Sequence, residues 1–213
     1  MGRRILFIFI LVLVSTAAFY FVSSKYQNKQ HIEPLLKQGD IAFQTLSGDL
    51  GEAIQLATHS KYDHCGIIYK EGKDWYVYEA IGPVTKTPLD EWIKRGNSCH
   101  FVIKRLRDSN LLSNTMIEKM KNEGKEFYGK DYDGYFDWSD DKIYCSELVW
   151  KIYKRGANIE VGKLQHLKDF DLTSEPVKKQ LQERYGSKIP LEDTVISPIS
   201  VYNSDKLILV TEN

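Results

Sequence analysis

The chain has 213 residues, with 29 basic and 29 acidic side chains, so no net charge draws it towards nucleic acid, and no basic run builds a local site for one. Its length suits one domain with a real core rather than several. Three cysteines are an odd number, so at least one thiol is unpaired.

Residues 1–24 are unlike the rest. Arg3 and Arg4 precede an apolar run over residues 5–22, which is short for a bilayer span and long for a signal-peptide core. Basic residues ahead of such a run favour an amino terminus kept in the cytoplasm and a remainder outside it. The expectation is a single membrane anchor through 5–22; cleavage after Ala18 is the alternative. No cysteine follows to accept a lipid. Residues 25–38 read as a short polar stalk, and 39–213 as the folded domain. That places the protein in the cell envelope, either tethered or released.

"GDIAFQ" (39–44) reads as a turn and a short strand. Residues 47–60 follow as a helix with Leu50, Ala53, Ile54 and Ala57 on one face, capped by Ser47 or Asp49. "DHCGIIYKEGKDWYVYEAIG" (63–82) is a hairpin, two β-branched and aromatic runs joined by a charged turn containing Gly72. A further strand spans 99–107. A helix follows over 114–129, stopping near Gly124 or Gly129. The aromatic-acidic loop "DYDGYFDWSDDK" comes next, and then a three-turn helix from about Tyr144 closed by Gly156. Residues 167–186 mix loop and helix. The chain ends in a strand whose first half is limited by Pro198. This order predicts an α+β domain, with helices on one side of a small, mostly antiparallel sheet.

The hairpin carries a geometric consequence. If Lys70 pairs with Lys73, His64 faces Glu79. If the loop is two residues longer, His64 faces Ile81, and Glu79 lies one diagonal step away on the same face. Either way an imidazole and a carboxylate share one face, and the carboxylate can fix the ring's tautomer while the other nitrogen acts as a base. Cys65, next in sequence, points to the opposite face, where packing is its expected role.

Cys145 shares a helical stripe with Leu148, Val149 and Ile152, which is also what a core face looks like. Glu147 lies about 200° round from it. A cysteine in the first turn, however, sits at the positive end of the helix dipole, near unpaired N–H groups that stabilise a thiolate and a developing oxyanion. A protonated histidine nearby would lower its pKa further.

"GDIAFQ", "EAIQLATHS", "YDHCGIIY", "VYEA", "FYGKDYD", "YCSELV" and "ISPISVY" occur in the order that resembles the YiiX/YebB-like hydrolases. These are circularly permuted relatives of the NlpC/P60 papain-like cysteine peptidases. The resemblance runs from about Gly39 to Val210. It implies a permuted papain-like fold with Cys145 as nucleophile, His64 as general base and Glu79 as the residue that orients the histidine. Two positions depart from the family pattern. Asp63 stands where serine is frequent and is expected to raise the histidine pKa; Cys65 stands where an apolar residue such as valine is usual. The implied chemistry is acyl transfer to water through a thioester, without a cofactor. His59, His100 and His166 are too scattered to suggest a metal. Tyr132 and Tyr144 are candidates for contacting substrate. The aromatic stretch Phe127, Tyr128, Tyr132, Tyr135, Phe136 and Trp138 suits an apolar or amphipathic one. The expected substrate is a cell-wall peptide or a lipid acyl group. The alternatives are a lipid- or peptide-binding protein on the same fold, or an acyltransferase using the same thioester.

Overall fold

The computed structural model describes residues 32–213. The chain divides into two compact units, residues 1–36 and 37–213. Of the first, the described part holds one 3-10 turn, Glu33–Leu35, with Pro34 inside it. The expected apolar helix over 5–22, the rest of the 1–24 segment and the stalk up to residue 31 lie outside the described residues. Among the described residues no helix is long and apolar enough to cross a membrane.

The second unit is built on a six-stranded sheet. Its strands are β1 (Ile41–Gln44), β2 (His64–Glu71), β3 (Asp74–Ala80), β4 (Val84–Pro88), β5 (Phe101–Leu106) and β8 (Leu207–Glu212). Their order is β4-β3-β2-β1-β5-β8, antiparallel throughout. A separate antiparallel pair joins β6 (Gln165–His166) to β7 (Thr194–Val195). The helices are α1 (Asp49–Thr58), α2 (Leu89–Arg95), α3 (Asn114–Lys125), α4 (Cys145–Ala157), α5 (Glu175–Tyr185) and α6 (Pro198–Tyr202).

The β2–β3 hairpin takes the second of the two registers. Glu71 pairs with Asp74 across a Gly72-Lys73 turn, and Ile67 faces Tyr78. Alternation then sorts the side chains. Cys65, Ile67 and Tyr69, with Tyr78 and Ala80 from β3, join the core that α3 and α4 complete through Met120, Leu148, Val149 and Ile152. His64, Gly66 and Ile68, with Val77 and Glu79, take the other face. There α2 packs, burying Leu89, Trp92 and Ile93. Helices on one side only was therefore an incomplete expectation. The short α2, entered through Pro88, covers the second face and closes over Glu79.

Three local expectations are corrected. Gly48 occupies the N-cap of α1, and neither Ser47 nor Asp49 caps it; Asp49 is the first helical residue. Helix α4 continues past Gly156 and ends on Asn158 in the left-handed conformation (φ 55°). Gly156 is a packing residue: a Cβ there would stand 2.6 Å from the Met120 Cα of α3. Pro198 opens helix α6 rather than a strand. The missing N–H of a proline costs nothing at a helix start, and Ser197 Oγ accepts from the Ser200 N–H at 3.2 Å. The terminal strand waits until Leu207.

Candidate active site

Helix α4 begins where β2 begins. The Cys145 Sγ lies 3.8 Å from the Asp63 carbonyl oxygen, one residue ahead of the strand. Around that point the structure gathers Cys145, His64 and Glu79, which are 2%, 3% and 0% exposed. His64 Nε2 lies 2.5 Å from Glu79 Oε2, and the ring is near enough to Cys145 for each group to shift the other's ionisation. With Nε2 engaged, Nδ1 is the nitrogen left for the sulfur.

Glu79 has more partners than the hairpin alone provides. Its Oε2 also accepts from Trp92 Nε1 at 2.9 Å and from an Arg95 guanidinium nitrogen at 2.5 Å. Its Oε1 accepts from Thr87 Oγ1 at 2.5 Å. Burial alone would push this carboxyl up. Hydrogen bonds and positive charge from His64, then from Arg95, bring it down to about 2. Thr87, Trp92 and Arg95 were not read from sequence. They lie on β4 and α2, whose part in the site becomes visible only when those elements fold against β3.

The electrostatics favour an ion pair. Burial would depress the His64 pKa, but its bonds to Cys145 and Glu79 raise it to about 9. The neighbouring Cys65 lowers the Cys145 thiol, burial opposes it, and His64 lowers it further; the result lies well below the ordinary thiol range. A thiolate beside an imidazolium, with first-turn N–H groups close by, can attack a carbonyl and stabilise the oxyanion that forms.

Asp63 does not drive the histidine shift. Its carboxylate turns towards α1, accepting from the Leu46 N–H at 2.8 Å and from Gln55 Nε2 at 2.5 Å, and so bolts α1 to the start of β2. Glu147, third residue of α4, is wholly buried. Its carboxylate meets Lys151 Nζ at 2.7 Å as an ion pair within the helix. Lys151 in turn reaches Asp140 Oδ1 at 2.8 Å and the Ser139 carbonyl, anchoring the aromatic-acidic loop to α4.

Cys145 opens onto a groove of roughly 740 Å³, its open mouth included. It is lined by Leu50, Ala53, Ile54 and Ala57 of α1, the face expected to be apolar, and by Val177, Leu181 and neighbours on α5. Tyr132, Phe136 and residues 195–198 also line it. Both tyrosines expected at the site line the groove. The Tyr144 hydroxyl also holds the scaffold, accepting from the Ile196 N–H at 3.0 Å while Ser146 Oγ donates to the Ile196 carbonyl at 2.7 Å. Of the aromatic stretch, only Tyr132 and Phe136 reach the groove. Phe127 is buried, Tyr128 and Tyr135 are exposed, and Trp138 packs on Trp150.

All three cysteines are free, Cys99 being exposed in a turn and Cys65 buried. Among the described residues no three His, Cys, Asp or Glu side chains converge as a metal-ligand set.

Comparison with known proteins shows the family. Residues 35–211 match the family described as permuted papain-like amidase enzymes, YaeF/YiiX, C92 family. The uncharacterized protein YiiX of Escherichia coli is 45% identical over 174 residues, which cover 82% of this chain and 85% of that one. A crystal structure described as the metalloprotein YiiX from Escherichia coli superposes with a TM-score of 0.80 at 44% identity, covering 83% of this chain and 97% of the other. With the match spanning nearly all the described residues, the chain belongs to the permuted papain-like amidase family of YaeF and YiiX.

Proposed function

We propose that this protein is a thiol hydrolase that cleaves an amide or ester bond of a substrate bearing an apolar acyl chain. We propose further that it works in the cell envelope, tethered through residues 5–22. The tether rests on the sequence pattern of that segment. The hydrolase reading rests on one observation above others: Cys145, paired with His64 and Glu79, lies in the wall of a groove made almost entirely of carbon.

In this reading the Cys145 thiolate attacks the acyl carbonyl, and the oxyanion is met by first-turn N–H groups of α4. The His64 imidazolium then gives its proton to the leaving amine or alcohol, and the acyl group stays on sulfur as a thioester. His64, now neutral, takes a proton from water as the water attacks the thioester, and the carboxylic acid departs. Glu79 holds the ring in place throughout. A cell-wall peptide would need polar partners along the groove. The charged group there, Arg184, is already committed to the Gly134 carbonyl and to Gln180. The relative's description as a metalloprotein supplies no step here, because no ligand set is assembled among the described residues and His64 Nε2 is bonded to Glu79.

The test is peptide-resolved iodoacetamide labelling together with hydrolysis of p-nitrophenyl esters of increasing acyl length. Cys145 should label rapidly near neutral pH and slowly in His64→Ala. kcat/KM should rise by about fourfold per methylene until the groove is filled, from ~0.8 kcal/mol per buried CH₂. Alkaline-only labelling indifferent to His64, or full activity in Cys145→Ala, would refute the assignment. An acceptor-dependent transfer of the acyl group would make the enzyme an acyltransferase, and stoichiometric binding without turnover a binding protein.

A further inference from the structure

Three donors converge on one oxygen of Glu79. Its Oε2 meets His64 Nε2 at 2.5 Å, Arg95 Nη2 at 2.5 Å and Trp92 Nε1 at 2.9 Å. Docking α2 and β4 onto β3 does not ask for a second cation there, because Trp92 and Thr87 already bond Glu79 as neutral donors. Arg95 is the last residue of α2, where a cation suits the helix dipole even from solvent. Its side chain instead turns inward. It is only 30% exposed, and its Nε is buried with no hydrogen-bond partner among the described residues. A buried N–H left unpaired is unfavourable, so the inward turn needs a compensating gain. The bond to Glu79 is that gain.

We propose that Arg95 is a positioning residue acting through Glu79: it is the counter-ion that keeps the buried carboxylate paired while His64 is neutral, and so frees the imidazolium to give up its proton. The proposal rests on the hydrolase reading above. In the resting site two anions, the Cys145 thiolate and Glu79, face two cations, His64 and Arg95. Once the sulfur carries the acyl group and His64 has protonated the leaving group, the first anion and the first cation are gone. Without Arg95, the 0% exposed Glu79 would then be an uncompensated charge, and the imidazole would hold its proton rather than leave it so. Arg95 removes that penalty. Its charge also acts directly, since one cation disfavours another beside it. Against burial, which raises the Glu79 carboxyl, His64 and then Arg95 hold it down to about 2. The other groups near the pair do not replace Arg95. Gln44, the cross-strand partner of His64 on β1, is uncharged, and the Asp63 carboxylate faces Leu46 and Gln55. Lys94 of α2 pairs with Asp90, and Lys86 of β4 with Glu71. From α4 the titratable group beside the histidine is Cys145 itself.

The experiment titrates His64 by NMR in the full chain carrying isotope-labelled histidine, with its ring signal identified by loss in His64→Ala. Cys145→Ala serves as the background, because it leaves the histidine facing Glu79 and Arg95 without the thiolate. Arg95→Gln and Arg95→Met remove the charge, Arg95→Lys keeps it, and thermal unfolding accompanies each. Removing the charge should raise the His64 midpoint by about one pH unit, and Lys should restore most of it. In chains that keep Cys145, the alkaline limb of ester hydrolysis should move the same way. A lowered midpoint would overturn the proposal, since it would mean that Arg95 merely holds Glu79 against the ring. So would an unmoved midpoint, a Lys variant that behaves like Gln, or a midpoint that shifts while the activity limb stays. All of these leave the hydrolase reading intact. That reading fails separately, and this inference with it, if wild-type Cys145 labels only at alkaline pH. Two charge-free variants are included so that misfolding of one leaves the question answerable.

Discussion

His64 and Glu79 are bonded at 2.5 Å although they are not cross-strand partners. The register that pairs Ile67 with Tyr78 sets Gly66 opposite Glu79, and the carboxylate reaches His64 diagonally over that glycine. A Cβ at Gly66 would stand 2.5 Å from Val77 Cγ1, 2.8 Å from the Tyr78 carbonyl oxygen and 3.1 Å from Glu79 Cβ. One of those contacts is backbone, so rotamer changes cannot relieve it. Gly66→Ala is therefore expected to lower stability by about 1–3 kcal/mol, within the range for overpacking, and to push Glu79 off the histidine. Chemical denaturation and ester hydrolysis on the same sample check both effects; a variant as stable and as active as wild type would show that the glycine is incidental.

Glu79→Gln tests what the carboxylate's charge does. His64 is raised from 6.5 to about 9, so its protonated form is favoured by the native state. Such a group contributes stability that is fully present below 6.5 and lost as pH rises through about 9. The same protonation supplies the acid for leaving-group departure, so wild-type activity should show an alkaline limb near pH 9. Replacing Glu79 with Gln keeps hydrogen-bonding capacity but removes the negative charge. The limb should then move to lower pH, and kcat should fall on the order of 10²-fold as ring orientation is lost. An unmoved limb would mean that Cys145 alone sets the histidine pKa.

The hairpin and the α4 stripe were legible because their signals are local: alternation over seven or eight residues, and a 3.6-residue period over thirteen. That was enough to bring His64 and Glu79 to one face, and a cysteine to a helix start. The elements that finish the site left no such trace. β4 has five residues and α2 has seven, with Pro88 at their junction, too short for either period to build up. Thr87, Trp92 and Arg95 matter through their distance to Glu79, which is set by tertiary packing. The face of α1 was correctly read as apolar, but periodicity does not distinguish a face buried in the core from one that walls a groove. Cys65 was read as packing from its side of the strand. That side is correct; what alternation could not convey is that α4 begins there.

Glu147 gives a second pH dependence of the same sign, from a buried acid rather than a base. Burial raises its carboxyl from 4.5 to about 8, against the lowering influence of Lys151. The native state therefore keeps a proton that the unfolded chain releases, and stability falls as pH rises from about 4.5 to about 8. Glu147→Gln removes that term while preserving shape and leaving Lys151 its bonds to Asp140 and Ser139. The unfolding free energy of wild type minus that of the variant, measured at several pH values, should decline across this window and be flat above it. A difference independent of pH would mean that Glu147 stays ionised, held by Lys151.

Gly156 sets two physical effects against each other. It lies in the interior of α4, two residues before the C-cap, where replacing glycine with alanine ordinarily stabilises a helix by about 1 kcal/mol. In this helix an added Cβ would meet the Met120 Cα at 2.6 Å, its N at 2.9 Å and its Cγ at 2.8 Å. The side-chain atom can rotate away, but the backbone atoms belong to α3 and move only if the helix moves. Overpacking of that kind costs about 1–3 kcal/mol and exceeds the propensity gain. Gly156→Ala is thus expected to destabilise the protein by thermal or denaturant midpoint. Separating α3 from α4 would also displace the buried end of α4 relative to β2. Cys145 lies more than two turns away, so alkylation of its thiolate should change less than stability does. A stabilised variant would show that α3 yields at Met120, and that this glycine answers to something other than helix contact.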